Sequence, residues 1–173
     1  MPPRLFHVSE DFAIGRFEPR PSPSTNITLG VCVWSIAETH LANYLLPRDC
    51  PRICFRRGPQ TTADDAIRFL NGAAHVVAFE AEWLERTRTE RLALYEMPPA
   101  TFFEADAGAG YWISREAVEP LRMTIIDGAL EALVRSGTEV RVLQDFWPLR
   151  DAVIGSSLQF SIIRTRNARP QTI

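Results

Sequence analysis

Apolar residues along the chain fall mostly into short runs typical of β-strands. The opening LFHVSE carries two apolar residues into His7, which predicts a first strand that ends near this histidine. The β-branched and aromatic run VCVWSI at 31–36 predicts a buried central strand. Further runs of this kind predict strands at 51–57, 74–81, 91–97 and 139–143, and the runs at 110–114 and 117–126 predict either two short strands or one bent strand.

Helical patterns lie between these runs. Residues 61–72 predict a helix in which Thr62 is the N-cap and Gly72 marks the end. Residues 127–137 predict another, with Asp127 as its N-cap and Gly137 as its end. Shorter helices are expected at 37–46, which stops before a proline, and at 82–88.

The tail at 145–168 also favours a helix, because Pro148 suits its first turn and the apolar residues recur on one face. Its segment LQFSII, taken alone, is typical of a strand. As a helix, the tail aligns two arginines and two hydroxyls along one stripe. That stripe is either an anion-binding surface or a solvated helix face. Its members are Arg150, Ser157, Ser161 and Arg164.

Strands and helices are mixed without strict alternation, which predicts an α+β fold rather than a doubly wound parallel one. We expect one domain over residues 1–173, with split mixed or antiparallel sheets, flanking helices and a C-terminal helix. The proline- and serine-rich stretch EPRPSPSTN at 18–26 predicts an extended loop that could cover a site.

Length and charge narrow the classes of function. The 173 residues suffice for a sizeable core, and a net charge of −2 gives no broad basic field for nucleic acid. No run approaches the roughly 18 consecutive apolar residues of a membrane span. We therefore expect a cytoplasmic protein that binds a small molecule, without nucleic-acid or membrane partners. The sequence leaves its oligomeric state open.

Reactive residue types are few. The three cysteines, Cys32, Cys50 and Cys54, are an odd number with no zinc spacing, so we expect buried apolar thiols and no metal site. All nineteen basic residues are arginine. The absence of lysine excludes a Schiff-base mechanism and a P-loop.

The stretch DAGAGYWIS at 106–114 contains two glycines before Tyr111 and Trp112. Gly108 and Gly110 allow a ligand to approach the backbone closely, although a plain hairpin connection would use them equally. We take the two aromatic residues as candidates for substrate binding. His40 is expected to be exposed, or to stack on Tyr44 one helical turn later.

The segments LFH and GVCVWSIAETHLANY together resemble the ADP-ribosyltransferase superfamily, and its poly-ADP-ribose polymerase branch most of all. The resemblance implies an ADP-ribosyltransferase-like core that binds NAD in a cleft between two small sheets. His7 would bond the adenosine-side ribose, and Tyr44 would stack on nicotinamide. Trp34 would occupy the first aromatic position of the second motif.

Further residues follow from that assignment. Alternation along the first strand places Ser9 on the same side as His7. Arg48 is one of four arginines at 48–57 that could pair with the pyrophosphate. The superfamily also uses a glutamate on a late strand, for which Glu139 is the candidate beside Glu116 and Glu119. Catalytic roles would then fall to His7, Tyr44 and Glu139, although a solvated strand end also explains Glu139.

Two other functions remain open. A cofactor-independent cyclase or isomerase could act on a small organic metabolite in an aromatic-lined pocket. It would use His7 and Glu10 as acid and base, with Tyr111 and Trp112 as walls. A non-catalytic interaction module, of the toxin–antitoxin kind, would need none of these side chains.

Overall fold

The computed structural model describes residues 3–21 and 30–171, and the chain falls into two compact units. The first unit comprises Met1–Leu41 and Arg91–Ile126, and the second comprises Ala42–Glu90 and Asp127–Ile173. Each unit is thus assembled from two separate stretches of chain. Most of the proline-rich loop predicted at 18–26 lies outside the described residues, and the prediction of a single domain stays a prediction.

Strands dominate the described part of the chain. In order they are β1 (Leu5–Ser9), β2 (Arg20–Pro21), β3 (Val31–Ala37), β4 (Arg52–Arg56), β5 (His75–Glu80), β6 (Arg91–Met97), β7 (Phe102–Asp106), β8 (Tyr111–Ser114), β9 (Arg122–Asp127), β10 (Glu139–Leu143) and β11 (Gln159–Ile163).

The helices are short. They are α1 (Ala63–Asp65), which continues as a π-helical turn over Ala66–Leu70, then α2 (Leu84–Thr89), α3 (Ala129–Arg135) and α4 (Phe146–Ile154). Single 3₁₀ segments cover Glu38–Tyr44, Ala81–Trp83, Pro99–Thr101 and Thr165–Asn167. Within 3–21 and 30–171, no helix has the length and apolar character needed to cross a membrane.

The first unit is built on one sheet with the strand order β7-β8-β3-β1-β6-β9, and β2 also pairs with β3. The pairings of β1 with β3 and β6 are antiparallel, and His7 lies opposite Tyr95. One face of this sheet carries a core that includes Leu5, Phe17 and Met97. Because side chains alternate along a strand, His7 and Ser9 lie on the same face as Leu5.

The second unit contains a mixed four-stranded sheet with the order β10-β5-β4-β11. β10 runs parallel to β5, whereas β4 is antiparallel to both β5 and β11. The apolar residues of one sheet face pack against α4 and the helical segment at 63–70. This core includes Ile53, Phe55, Phe69, Phe146 and Val153.

These two sheets and their helices confirm the predicted α+β class. Thr62 caps α1 as expected, since its hydroxyl accepts from the Asp65 backbone N–H at 3.2 Å. The expected Asp127 cap is wrong, because Gly128 occupies the N-cap position of α3. Gly128 has a φ of 78°, a conformation that glycine adopts without steric cost.

The predicted C-terminal helix is wrong in its second half. Helix α4 ends at Ile154, and the chain returns as β11, which pairs antiparallel with β4. The predicted stripe therefore does not exist: Arg150 lies on α4, Ser161 lies within β11, and Arg164 follows that strand. The strand-like pattern of LQFSII was the correct indication for this segment.

Candidate functional site

Several charged residues lie at one end of the four-stranded sheet. The carboxyl ends of β5, β10 and β11 meet the amino end of β4 there, because β4 runs against its neighbours. Arg52 is the first residue of β4 and lies opposite Ile163, the last residue of β11. Arg164, which follows Ile163, therefore lies at the same end of the sheet. Glu80 closes β5 there. The carboxyl ends of strands are where open sheets commonly bind ligands.

Two of these arginines share one acceptor. Arg52 donates from Nη2 to the Arg48 carbonyl oxygen at 3.1 Å, and Arg164 donates from Nε to the same oxygen at 3.2 Å. Asp49 is the adjacent carboxylate, 4.0 Å from Arg164 Nε. We name Arg48, Arg52, Arg164 and the exposed Arg166 the arginine cluster.

Arg52 is the buried member of the arginine cluster. Its residue surface is 2% exposed, and its Nε and Nη1 groups find no hydrogen-bond partner among the described residues. A buried donor without an acceptor costs about 1–3 kcal/mol, and more when the group is charged. A buried guanidinium is normally matched by a carboxylate, so these unmet donors make Arg52 a candidate member of a binding site.

Arg164 has an unusual backbone. Its φ of 58° lies in the left-handed region, which a residue with a side chain rarely adopts. Such backbone strain costs on the order of 1–3 kcal/mol and often occurs at functional sites. Burial lowers the pKa of Arg164, the charge of Arg166 lowers it further, and Asp49 opposes this effect. The guanidinium is thus held in positive surroundings.

The same end of the sheet contains a buried carboxyl group and a buried thiol. Glu80 is 1% exposed, and its carboxylate accepts the Arg169 backbone N–H at 3.2 Å. Burial raises the pKa of Glu80. Burial also raises the pKa of Cys50 to about 12, and both Arg52 and Glu80 act electrostatically on that thiol. Glu80 is therefore a carboxyl group that can stay protonated at a higher pH than usual.

Two of the ligand-binding residues predicted from the sequence lie together at this end of the sheet. Arg48 and Arg164, predicted separately as cofactor and substrate ligands, meet through the bond between Arg164 Nε and the Arg48 carbonyl. Arg150 has other partners, since it pairs with Asp151 at 2.6 Å and stacks over Trp147.

The set around His7 is only partly assembled. Nδ1 of His7 donates to the Trp34 backbone carbonyl at 2.9 Å, and the imidazole packs against Phe17 with ring centroids 4.7 Å apart. Ser9 lies on the same face, as predicted, and its hydroxyl accepts the Asp11 backbone N–H at 3.0 Å. A shallow depression of about 250 Å³ adjoins Phe17 and is lined by Asp11, Ile14, Arg16, Phe17, Glu18 and Arg20.

The Trp34 indole does not join His7. Phe6 lies opposite Ile36 in the β1–β3 register, so Ser35 is the residue of β3 that shares the His7 face. The indole of Trp34 therefore projects from the other face, where it meets Tyr111 edge-on at 5.4 Å. Trp112 lies opposite Ser35 and thus on the His7 face. The two predicted substrate-binding aromatics consequently project from opposite faces.

Tyr44 and Glu139 belong to the second unit, whereas His7 belongs to the first. Tyr44 ends the 3₁₀ segment Glu38–Tyr44. Glu139 opens β10 and forms an ion pair with Arg141 at 2.8 Å. The partner of Glu139 fits the structural alternative, a solvated strand end.

The glycine-rich stretch before Tyr111 packs against a side chain of the protein itself. A Cβ at Gly110 would lie 2.3 Å from Nδ1 of His40, and the φ of Gly110 is +71°. His40 is buried, contrary to expectation, and its Nε2 donates to the Gly108 carbonyl at 3.1 Å. The stretch joins β7 to β8 as a hairpin connection.

Glu80 was not predicted from the sequence, although it carried a signal. An acid directly after the apolar run VVAF marks the end of a buried strand, where ligands commonly bind. The sequence indicates Arg52 only as one of four arginines at 48–57 that could pair with a pyrophosphate. Its burial depends on strand pairing, which local sequence does not reveal.

Comparison with known proteins identifies a matching family model but no known activity. No curated protein and no solved structure matches the chain. Among the described residues, no group of three His, Cys, Asp or Glu side chains is arranged to hold a metal ion. A model described as a family of unknown function (DUF6886) matches residues 6–168, which span both units. The chain therefore belongs to this family of unknown function, DUF6886.

Proposed function

We propose that this protein binds a small phosphate-bearing metabolite through the arginine cluster. The observation that carries the proposal is the pair of guanidinium groups on one carbonyl oxygen, Arg52 and Arg164 on Arg48. One of them is buried with two unmet N–H donors. A bound anion would supply negative charge to balance these guanidinium groups.

The local charge favours a multiply charged group over a single carboxylate. The surroundings of Arg164 contain three other arginines and one aspartate, Asp49. Phosphate and pyrophosphate oxygens suit the planar fork of arginine donors, which binds them through paired hydrogen bonds. The net charge of −2 confines this positive field to the cluster and argues against nucleic acid.

Access is graded across the arginine cluster. Arg48 and Arg166 are exposed, the Arg164 side chain is 19% exposed, and Arg52 is buried. The ligand would contact Arg164 and the exposed members directly. Arg52 would hold the Arg48 carbonyl from below and add charge. Glu80, whose pKa is raised by burial, is the carboxyl group at the same end of the sheet.

Isothermal titration calorimetry with inorganic pyrophosphate, phosphate and NAD tests the proposal. Arg164→Gln removes a charge-assisted hydrogen bond, so we expect roughly 10- to 100-fold weaker pyrophosphate binding. Arg57→Gln is the matched control, because Arg57 is exposed in the same unit. Absence of binding to all three anions, or an equal loss in both variants, would contradict the proposal.

A second candidate keeps NAD with the first unit, as the ADP-ribosyltransferase resemblance implies. His7 and Ser9 share one face of β1, and Phe17 links His7 to the shallow depression. In this candidate the imidazole and the hydroxyl would meet a ribose. The candidate predicts that His7→Ala abolishes NAD binding and nicotinamide release, whereas His75→Ala leaves both intact.

The two candidates give different patterns in the same titration. NAD binding that is lost in Arg164→Gln and kept in His7→Ala assigns the pyrophosphate to the arginine cluster. The reverse pattern assigns NAD to the first unit. Binding of pyrophosphate without NAD would reject the second candidate alone.

A further inference from the structure

The segment that follows β11 lies at the end of the sheet that carries the arginine cluster. We name residues 164–169 the strap, and two members of the cluster, Arg164 and Arg166, belong to it. The strap turns through the 3₁₀ segment Thr165–Asn167. It leads from the end of β11 to Glu80 at the end of β5, two strands away in the order β10-β5-β4-β11. The path of the strap therefore sets where two of the four guanidinium groups lie.

The first half of the strap is bonded to the turn that contains Arg48. Arg164 donates from Nε to the Arg48 carbonyl oxygen at 3.2 Å. Asn167 donates from Nδ2 to the next carbonyl oxygen, that of Asp49, at 2.7 Å. Two successive carbonyl groups of the turn thus accept from side chains of the strap. The Asn167 bond thereby links the exposed members of the cluster, Arg48 on the turn and Arg166 on the strap.

The second half of the strap is held through Arg169. Its backbone N–H donates to the Glu80 carboxylate at 3.2 Å, and its carbonyl oxygen accepts from Nε1 of Trp147 at 2.7 Å. Its guanidinium also donates to Glu82 at 2.8 Å. Glu80 is buried, and Trp147 packs against the core of the second unit, so the fold fixes both partners. A backbone bonded to fixed side chains through both its N–H and its carbonyl is itself fixed.

We propose that Trp147, Glu80 and Asn167 are positioning residues for the arginine cluster. This inference rests on the proposed function, because it concerns the same anion site. The hydrogen bonds of these three residues latch the strap, and the strap places Arg164 and Arg166 against the phosphate groups of the ligand. Guanidinium groups bind phosphate through paired hydrogen bonds of fixed geometry. A strap displaced by about 1 Å would therefore lose part of the affinity.

Trp147→Phe tests the latch with a small change, because it removes the Nε1 donor and leaves an aromatic ring against the core. Hydrogen–deuterium exchange of the peptide that covers the strap should become faster. Pyrophosphate binding in isothermal titration calorimetry should weaken roughly fivefold, which corresponds to one neutral hydrogen bond. Asn167→Ala should have the same two effects. Trp83→Phe is the matched control, because Nε1 of Trp83 has no hydrogen-bond partner among the described residues. It should change neither quantity.

Glu80 offers a rescue by a conservative variant. The side-chain oxygen of Glu80→Gln can still accept the Arg169 N–H, whereas Glu80→Ala has no acceptor. We expect wild-type exchange and binding in Glu80→Gln, and faster exchange with weaker binding in Glu80→Ala. Circular dichroism gives the melting temperature of every variant. Binding that follows the melting temperature across the variants, and not the exchange of the strap, would assign these residues a purely structural role and overturn the inference.

The two measurements separate this inference from the proposed function. If the wild type binds no pyrophosphate, the proposed function fails and the positioning role fails with it. If the wild type binds pyrophosphate, and Trp147→Phe and Asn167→Ala exchange faster yet bind normally, the positioning role alone is overturned. Unchanged exchange in both variants would overturn it equally, because other contacts would then hold the strap.

Discussion

At the scale of single residues, substitutions of Arg164 can show whether this side chain serves ligand binding or the stability of the fold. The left-handed backbone of Arg164, with a φ of 58°, costs conformational energy and fixes the position of its guanidinium. A purely structural arginine at this point would be replaceable by glycine only with loss of stability. A binding arginine would instead be replaceable without that loss.

We therefore predict that Arg164→Gly is more stable than Arg164→Gln by about 1 kcal/mol, because glycine removes the left-handed strain. Both variants should lose pyrophosphate binding equally. Chemical denaturation measures the first quantity and calorimetry the second. Asn71→Gly is the control for the backbone effect, since Asn71 also has a positive φ, 46°. A loss of stability in Arg164→Gly relative to wild type would assign Arg164 a structural role, and a glycine variant less stable than Arg164→Gln would contradict the strain assigned to this backbone.

The cysteines give a prediction about reactivity. All three thiols are free and buried, as the sequence indicated. Burial raises the pKa of Cys50 and of Cys54 to about 12 and also raises that of Cys32. Because the thiolate is the reactive form, iodoacetamide at pH 8 should leave the folded protein unmodified and alkylate all three after denaturation. Mass spectrometry counts the adducts, and rapid labelling of Cys50 in the native state would refute its burial.

What the sequence revealed about the candidate site depended on whether the signal was local. The shared face of His7 and Ser9 followed from alternation within one strand, and the structure agrees. The opposite face of Trp34 depends on the register between β1 and β3, which two separate segments determine together. Arg48 and Arg164 were both chosen as ligands, yet the helical stripe used for Arg164 was wrong.

At the scale of elements, the break between α4 and β11 shows how packing overrides local pattern. The apolar spacing continues past Ile154 and favours a helix. Gly155 caps the helix instead, and the pairing of β11 with β4 supplies the hydrogen bonds of a strand. A partner about a hundred residues away in the sequence decides the conformation, and periodicity within the segment does not contain that information.

The connection between these two elements is tied to α1 by Asp65. Its carboxylate accepts the Ser157 backbone N–H at 2.7 Å and the Ser157 hydroxyl at 2.5 Å. These bonds lower the pKa of Asp65, and the Thr62 hydroxyl and the Arg68 charge contribute further. The ionised form is thus favoured in the folded state.

We predict that Asp65→Asn lowers the free energy of unfolding at pH 7. The wild-type contribution of Asp65 is present above the normal carboxyl pKa and is lost as the pH falls through the lowered folded value. The difference between wild type and variant should therefore shrink in acid. Denaturation curves at several pH values measure it. Asp64→Asn, in the same turn, is the control because the bonds to Ser157 are made by Asp65, and a gap that widens in acid would contradict the assignment.

The contribution of Glu80 to stability should depend on pH with the opposite sign to that of Asp65. Its folded pKa is raised by burial, with Glu82 and Asp145 adding to the rise and Arg169 opposing it. The folded state therefore binds the proton more tightly than the unfolded chain, and stability falls as the pH rises from the normal carboxyl value through the raised one.

Glu80→Gln should remove this loss and gain stability relative to wild type as the pH approaches neutrality. The matched control is Glu85→Gln, on an exposed carboxylate paired with Arg88. Parallel pH profiles for wild type and Glu80→Gln would show that Glu80 titrates normally.

At the scale of the whole molecule, the class of fold was predictable and the arrangement of strands was not. The mixture of short strands and helices sufficed for α+β. The division into two units depends on which strands pair. β1, for example, takes β6 as a neighbour from the second stretch of its unit. Contacts between such distant segments leave no mark on local composition.

The interleaving of the two units has a consequence for synthesis on the ribosome. The first unit needs β6 to β9, yet the whole segment Ala42–Glu90 of the second unit is made before them. β4 and β5 must then wait for β10 and β11, which follow the strands of the first unit in the chain. The sheet of the first unit cannot form until β6 to β9 have followed this segment, so apolar strand edges stay exposed on the growing chain in the meantime. The nascent chain is therefore the form of this protein that most needs a chaperone.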